Sequence, residues 1–163
     1  MKSARFVELL QMLAREDVEI IVVGMLAGVL QGAPVTTLDV DVVHHRTPEN
    51  AERLLRVLKR IDALYRDDPR RIEPGLSHLL GPGHQLLVTR LGALDCLGTI
   101  DGDKTYVDLL AHSVELEIGD GLRVRALDLE TLIAFKQRAG RPKDVAALPA
   151  LRATLDERNR AGS

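Results

Sequence analysis

The sequence predicts an α/β chain of the α+β kind: a mixed, mainly antiparallel β-sheet with flanking helices, followed by C-terminal helices. Three observations carry this. Short runs rich in Val, Ile and Leu stand at 19–23, 38–43, 85–89, 94–100, 104–110, 114–118 and 122–127, each of strand length. Glycine-bearing turns at 101–103 and 119–121 join neighbouring runs as hairpins. Segments with helical apolar spacing stand near both ends and after Thr47. At 163 residues the chain is expected to form one domain, residues 1–163, with a core over about 18–127 and a helical segment over 128–160.

The elements follow in order. Phe6, Leu9, Leu10 and Leu13 give an amphipathic helix over 3–15. The 19–23 strand ends at Gly24, where a glycine permits a sharp turn and a close approach to a ligand. A helix over 25–31 follows, ending near Gly32, and its free N–H groups would favour an anion. Pro34 marks the loop into the 38–43 strand. Thr47-Pro48 starts another helix, with Ala51, Leu54, Leu55, Leu58 and Ile61 inward and Arg53, Arg56, Lys59 and Arg60 on a solvated face. Turn formers dominate 67–83, read as a loop with one helical turn near 76–80; Arg70 and Arg71 there are candidate phosphate contacts, though a plain surface loop is favoured. Asp128 caps a helix to about residue 139, and Arg141-Pro142 opens the last helix, which Pro149 is expected to break or kink. The end, 158–163, is expected to fray.

The most informative pattern lies in the 38–43 strand. Alternation sends Val40 and Val42 to one face and Asp39 and Asp41 to the other. Those two carboxylates sit about 6.6 Å apart along the strand and resist joint ionisation unless a cation lies near. A hard ion such as Mg²⁺ is held by one or two carboxylates plus substrate phosphates. Asp108 is a carboxylate in an otherwise apolar run and needs a partner or solvent; Asp95 stands in a similar setting and competes with it as a third acid. Lys136 shares the stripe of Leu129, Leu132 and Ile133, so its ammonium either snorkels outward or reaches the acids.

Composition narrows the function classes. Net charge is −2, with no Trp, two Tyr and two Phe, which argues against a base-stacking nucleic-acid platform. The single Cys96 excludes an internal disulfide and a cysteine zinc site, and points to a reducing cytoplasm. Neither a signal peptide nor a membrane span is expected. His44 and His45 adjoin, but His78, His84 and His112 are scattered without zinc-ligand spacing; His44 is the one placed near the cleft.

The order Gly24, helix, Thr37-x-Asp39-x-Asp41 resembles the minimal nucleotidyltransferase superfamily with the DNA polymerase β-like core, above all small bacterial enzymes and toxins of the AbiEii and MNT type. The likeness covers roughly 18–148 and is specific over 24–41. It implies a nucleotidyltransferase-like fold and a Mg²⁺-dependent enzyme, Mn²⁺ being the other ion of the same kind. That enzyme would move a nucleoside monophosphate from a nucleoside triphosphate, ATP above others, to a hydroxyl of RNA, protein or a small molecule. Asp39, Asp41 and Asp108 would be the catalytic and metal-binding acids; Gly24, Met25, Thr37, Lys136 and Lys143 would bind nucleotide, with Asp144 closing the basic segment. A partner protein, including a toxin–antitoxin mate, or a second copy also falls within the implied range. Met25 stands where relatives carry Gly or Ser, and Val35 where many carry Arg. Both changes remove phosphate contacts and support the alternative of a binding or regulatory protein of this fold without turnover. A haloacid dehalogenase-type phosphatase is the lesser alternative: Asp39-x-Asp41 fits its first motif and Asp67-Asp68 mimics its acidic pair, but Val42-Val43 continues the strand where that motif should end.

Overall fold

A computed structural model describes residues 5–162. Seven strands form one sheet: β1 (Ile20–Val23), β2 (Asp39–His44), β3 (Leu64–Tyr65), β4 (His84–Thr89), β5 (Gly92–Leu97), β6 (Ser113–Glu117) and β7 (Arg123–Leu127). Their order is β3-β4-β5-β2-β1-β7-β6. The β2/β5 and β1/β7 pairs are parallel and the other four are antiparallel, which gives the mixed, mainly antiparallel sheet expected. The helices are α1 (Phe6–Arg15), α2 (Gly24–Leu30), α3 (Pro48–Arg60), α4 (Leu76–Leu80), α5 (Tyr106–Leu109), α6 (Leu129–Ala139) and α7 (Pro142–Ala161). Among the described residues, no helix is long and apolar enough to cross a membrane.

The strand pleat divides the helices. Val40 and Val42 are fully buried, and the next residue of that parity, His44, donates from Nε2 to the carbonyl of Leu79 on α4 at 2.7 Å. Helix α3 packs against α4 and α1, and its inward Ala51, Leu54 and Leu58 are buried. Each such leucine contributes about 1.5–3 kcal/mol of apolar burial. On the Asp39/Asp41 side, α2 packs on α6, and α6 on α7. This contact depends on Gly28: a Cβ there would stand 2.7 Å from Leu151 of α7 and 3.5 Å from Leu132 of α6.

Local signals set most boundaries. Thr47 caps α3 by accepting from Asn50 N–H, and Asp128 caps α6 by accepting from Thr131 N–H. Three expectations need correction. The stretch 104–110 is not a strand: Thr105 and Asp108 form a reciprocal capping box, and Tyr106 and Leu109, three apart, are the buried pair of a short helix that runs into a 3₁₀ turn over Leu110–His112. The apolar alternation is there, but the capping hydrogen bonds and the spacing of the two buried side chains favour the helix. Pro149 does not break α7, which runs from Pro142 to Ala161. Nor does its end fray from residue 158, since Arg158 bonds Gln31 at 3.1 Å and Glu130 at 3.3 Å. Residues 3–4 of the expected first helix, and Ser163, lie outside the described residues.

His44 yields a pH prediction. It is fully buried, its Nδ1 has no hydrogen-bond partner, and burial holds the imidazole below the ordinary histidine range. The unfolded chain therefore takes up a proton that the folded chain refuses, so stability falls as pH drops below the unfolded value. His44→Gln, which keeps a donor for Leu79 but does not titrate, is expected to lose less stability than the wild type between about pH 7.5 and pH 5 in denaturant melts.

Candidate active site

Parallel pairing of β2 with β5 places Asp41 level with Asp95, while Asp39 lies level with Ala93. On its other edge Asp41 pairs with Val23, the last residue of β1. Neighbouring strands lie about 4.8 Å apart, so Asp41 and Asp95 are immediate neighbours on one face, with Asp39 two residues away. These three acids line a cleft of about 360 Å³ roofed by α6 and the start of α7.

Gly24 closes one side of Asp41. Its φ is +64°, and a Cβ there would lie 2.6 Å from Asp41 Oδ2. Glycine is required by backbone conformation and by space alike. Asp41 Oδ1 is buried without a hydrogen-bond partner. Burial, then Asp95, then Asp39 push the Asp41 carboxyl up to about 7, with Lys136 opposing. Asp95 Oδ1 also lacks an aligned hydrogen bond, although it lies 3.0 Å from Arg66 Nη1.

The opposite wall is cationic. Lys136 Nζ lies 3.2 Å from Asp144 Oδ1, and Arg141 Nε lies 2.6 Å from Asp144 Oδ2. The Asp144 side chain is only 1% exposed, and Arg141, then Lys136, hold its carboxyl below the usual carboxylate range. Lys143 borders the same cleft, as do the apolar Leu97, Ile100 and Phe135. Arg138 stacks over Phe135 at 5.0 Å and pairs with Asp101 at 2.6 Å.

The structure brings Gly24, Asp39, Asp41, Lys136, Lys143 and Asp144 together and leaves out other expected residues. Asp108 is not beside Asp39 and Asp41: it is exposed on α5, accepts from Thr105 N–H at 2.9 Å, and lines a separate cavity with His112 and Glu130. The acid beside Asp41 is Asp95, because β5 rather than 104–110 is the strand next to β2. Met25 and Val35 pack against the hydrophobic core. Thr37 turns back onto Asp39, its Oγ1 donating to the Asp39 carbonyl at 3.1 Å. Arg70 is exposed and paired with Asp68, and Arg71 lines a surface hollow on the β3–β4 edge. His44 lies on the core face, away from the cleft, and His45 stacks on Tyr106. Sequence reasoning missed Arg141 and Arg66; a charge three residues before Asp144, where the last helix opens, was the available signal for the first.

Among the described residues, no three acidic, histidine or cysteine side chains are already gathered into a metal cage. What the site offers is an open set: a buried, unpartnered Asp41 oxygen flanked by two further carboxylates. This fits Mg²⁺ or Mn²⁺, which complete their shells with substrate phosphates and water.

No protein-family model matches the sequence, and no curated protein matches it. Among solved structures, the crystal structure of a candidate nucleotidyltransferase from Thermotoga maritima is similar, at 20% identity and a TM-score of 0.55, over 93% of this chain and 91% of that one. The chain has a nucleotidyltransferase-like fold.

Two outcomes follow from the crowding at Asp41. Gly24→Ala should destabilise the protein and distort the cleft, read by a lowered melting temperature. Because the folded state holds a proton on Asp41 up to about 7, stability contributed by the neutral form is lost as pH rises from the ordinary carboxylate range through that value. Asp41→Asn should therefore melt higher than the cation-free wild type at about pH 8, by about 3 °C for each kcal/mol recovered.

Proposed function

We propose that this protein is a Mg²⁺-dependent nucleotidyltransferase, with Mn²⁺ able to substitute, that moves a nucleoside monophosphate from a nucleoside triphosphate, ATP in the first instance, to an acceptor hydroxyl. The observation that carries the reading is the in-register pairing of Asp41 with Asp95 beside Asp39, with a buried Asp41 oxygen left without a partner. Asp39 and Asp41 would hold the divalent ion, which when bound neutralises charge on the triphosphate and on the in-line transition state. Lys136 and Arg141, braced by Asp144, meet the phosphates from the opposite wall, and Lys143 adds a third cation. Leu97, Ile100 and Phe135 supply apolar surface for the base.

Asp95 acts as the general base. It takes the proton of the acceptor hydroxyl as that oxygen bonds to the α-phosphorus; the bond from the α-phosphorus to the bridging oxygen breaks, and pyrophosphate leaves. The acceptor classes are those of the sequence reading: an RNA end, a protein hydroxyl or a small molecule.

A second reading has its own support. Met25 and Val35 are partly buried apolar residues packed against the core, and their side chains offer a phosphate no polar group, which favours a protein that binds nucleotide without turnover. Calorimetry of ATP with Mg²⁺ that shows binding, with no label transferred, would select it.

The test is transfer of label from α-labelled ATP to candidate RNA, protein and small-molecule acceptors. Asp41→Asn should reduce transfer to background, and Asp95→Asn should cost roughly a hundredfold or more. Asp108→Asn should stay within about threefold of wild type, as suits an exposed cap. Equal loss in Asp108→Asn, or full activity in Asp95→Asn, would reverse the assignment of the third acid.

A further inference from the structure

Arg66 reaches the acid cluster from the sheet edge, pairing with Asp95. It follows β3 at the sheet edge, and its backbone N–H donates to the Leu86 carbonyl of β4 at 2.9 Å. Leu86 pairs with Asp95 across the β4/β5 ladder. The side chain therefore crosses β4: Nη1 donates to the Leu87 carbonyl at 2.9 Å and lies 3.0 Å from Asp95 Oδ1. Both side chains are largely withdrawn from water, at 21% and 15% exposure. Nη1 carries two hydrogens and gives one to the Leu87 carbonyl, while its 3.0 Å approach to Asp95 Oδ1 is not aligned as a hydrogen bond. The contact is a single close ion pair, without the two-pronged geometry that makes arginine–carboxylate pairs strong and directional.

We infer that Arg66 is a positioning residue that serves as a built-in counter-ion for the acid cluster: it offsets Asp95 in the cation-free protein and competes with a divalent ion for the same carboxylates. The inference rests on the reading of Asp39, Asp41 and Asp95 as a cation site. Three carboxylates on adjacent strands repel one another. Arg66 offsets part of that charge without filling the space at Asp41, whose Oδ1 stays unpartnered. Its second anchor, Leu87, keeps the guanidinium in place if Asp95 turns to an ion. Cation binding then weakens the Arg66–Asp95 contact, and removing the arginine charge strengthens cation binding. An arginine that merely fastened the edge strand would have no such coupling.

The experiment is a Mn²⁺ titration followed by electron paramagnetic resonance, without nucleotide, on wild type, Arg66→Gln, Arg66→Lys and Asp41→Asn. Arg66→Gln should bind Mn²⁺ about five- to tenfold more tightly and Arg66→Lys about as the wild type does. Unchanged or weaker binding in a folded Arg66→Gln protein overturns the inference. Should that variant not fold, the wild type decides: the Arg66 side-chain N–H resonance should shift on adding Mg²⁺, and a resonance that stays put overturns it. Loss of binding in Asp41→Asn with no effect at Arg66 sinks the counter-ion alone. Mn²⁺ binding that Asp41→Asn leaves intact sinks the cation site, and the counter-ion with it.

Discussion

The parallel ladder between β2 and β5 concentrates negative charge at one level of the sheet, and the surroundings answer that charge. Asp41 and Asp95 stand side by side because their strands run in the same direction in this register. Gly24 gives up a side chain so that the Asp41 carboxylate fits beside the end of β1. Arg66 arrives from the sheet edge, and Lys136 and Arg141 arrive from the helical side. The fully buried Val40 and Val42 behind the acids make a one-residue slip costly, since it would bury carboxylates and expose valines.

Much of this was legible in the sequence. The alternation of Leu38, Val40 and Val42 with Asp39 and Asp41 is a short-range signal, and so are the Gly24 turn, the Thr47-Pro48 and Asp128 caps, and the apolar stripe that carries Lys136. Each depends on residues a few positions apart, which is the distance over which periodicity and capping act. The third acid depends on strand order, which links residues 41 and 95 through a crossover that contains α3, β3, α4 and β4. No local pattern encodes that pairing. Asp108 and Asp95 both sat in short apolar runs, and only the Thr105–Asp108 capping box, readable as Thr-x-x-Asp, told them apart.

The cationic wall shows the same division. A lysine on an apolar stripe and an aspartate in the first turn of the next helix were each visible. That one buried carboxylate grips both Lys136 and Arg141 follows from the tight α6–α7 connection, where Gly140 takes a left-handed conformation with φ +63° and turns the chain back.

Helix α7 begins at this grip and, two turns later, lays Leu151 over Gly28. The seat is so close that a methyl group at position 28 would stand 2.7 Å from a terminal methyl of Leu151, and that side chain would have to shift. A position with no chemistry of its own thus shapes the seat of the helix whose first turn holds Asp144, the carboxylate that braces Lys136 and Arg141 across the cleft from the acids.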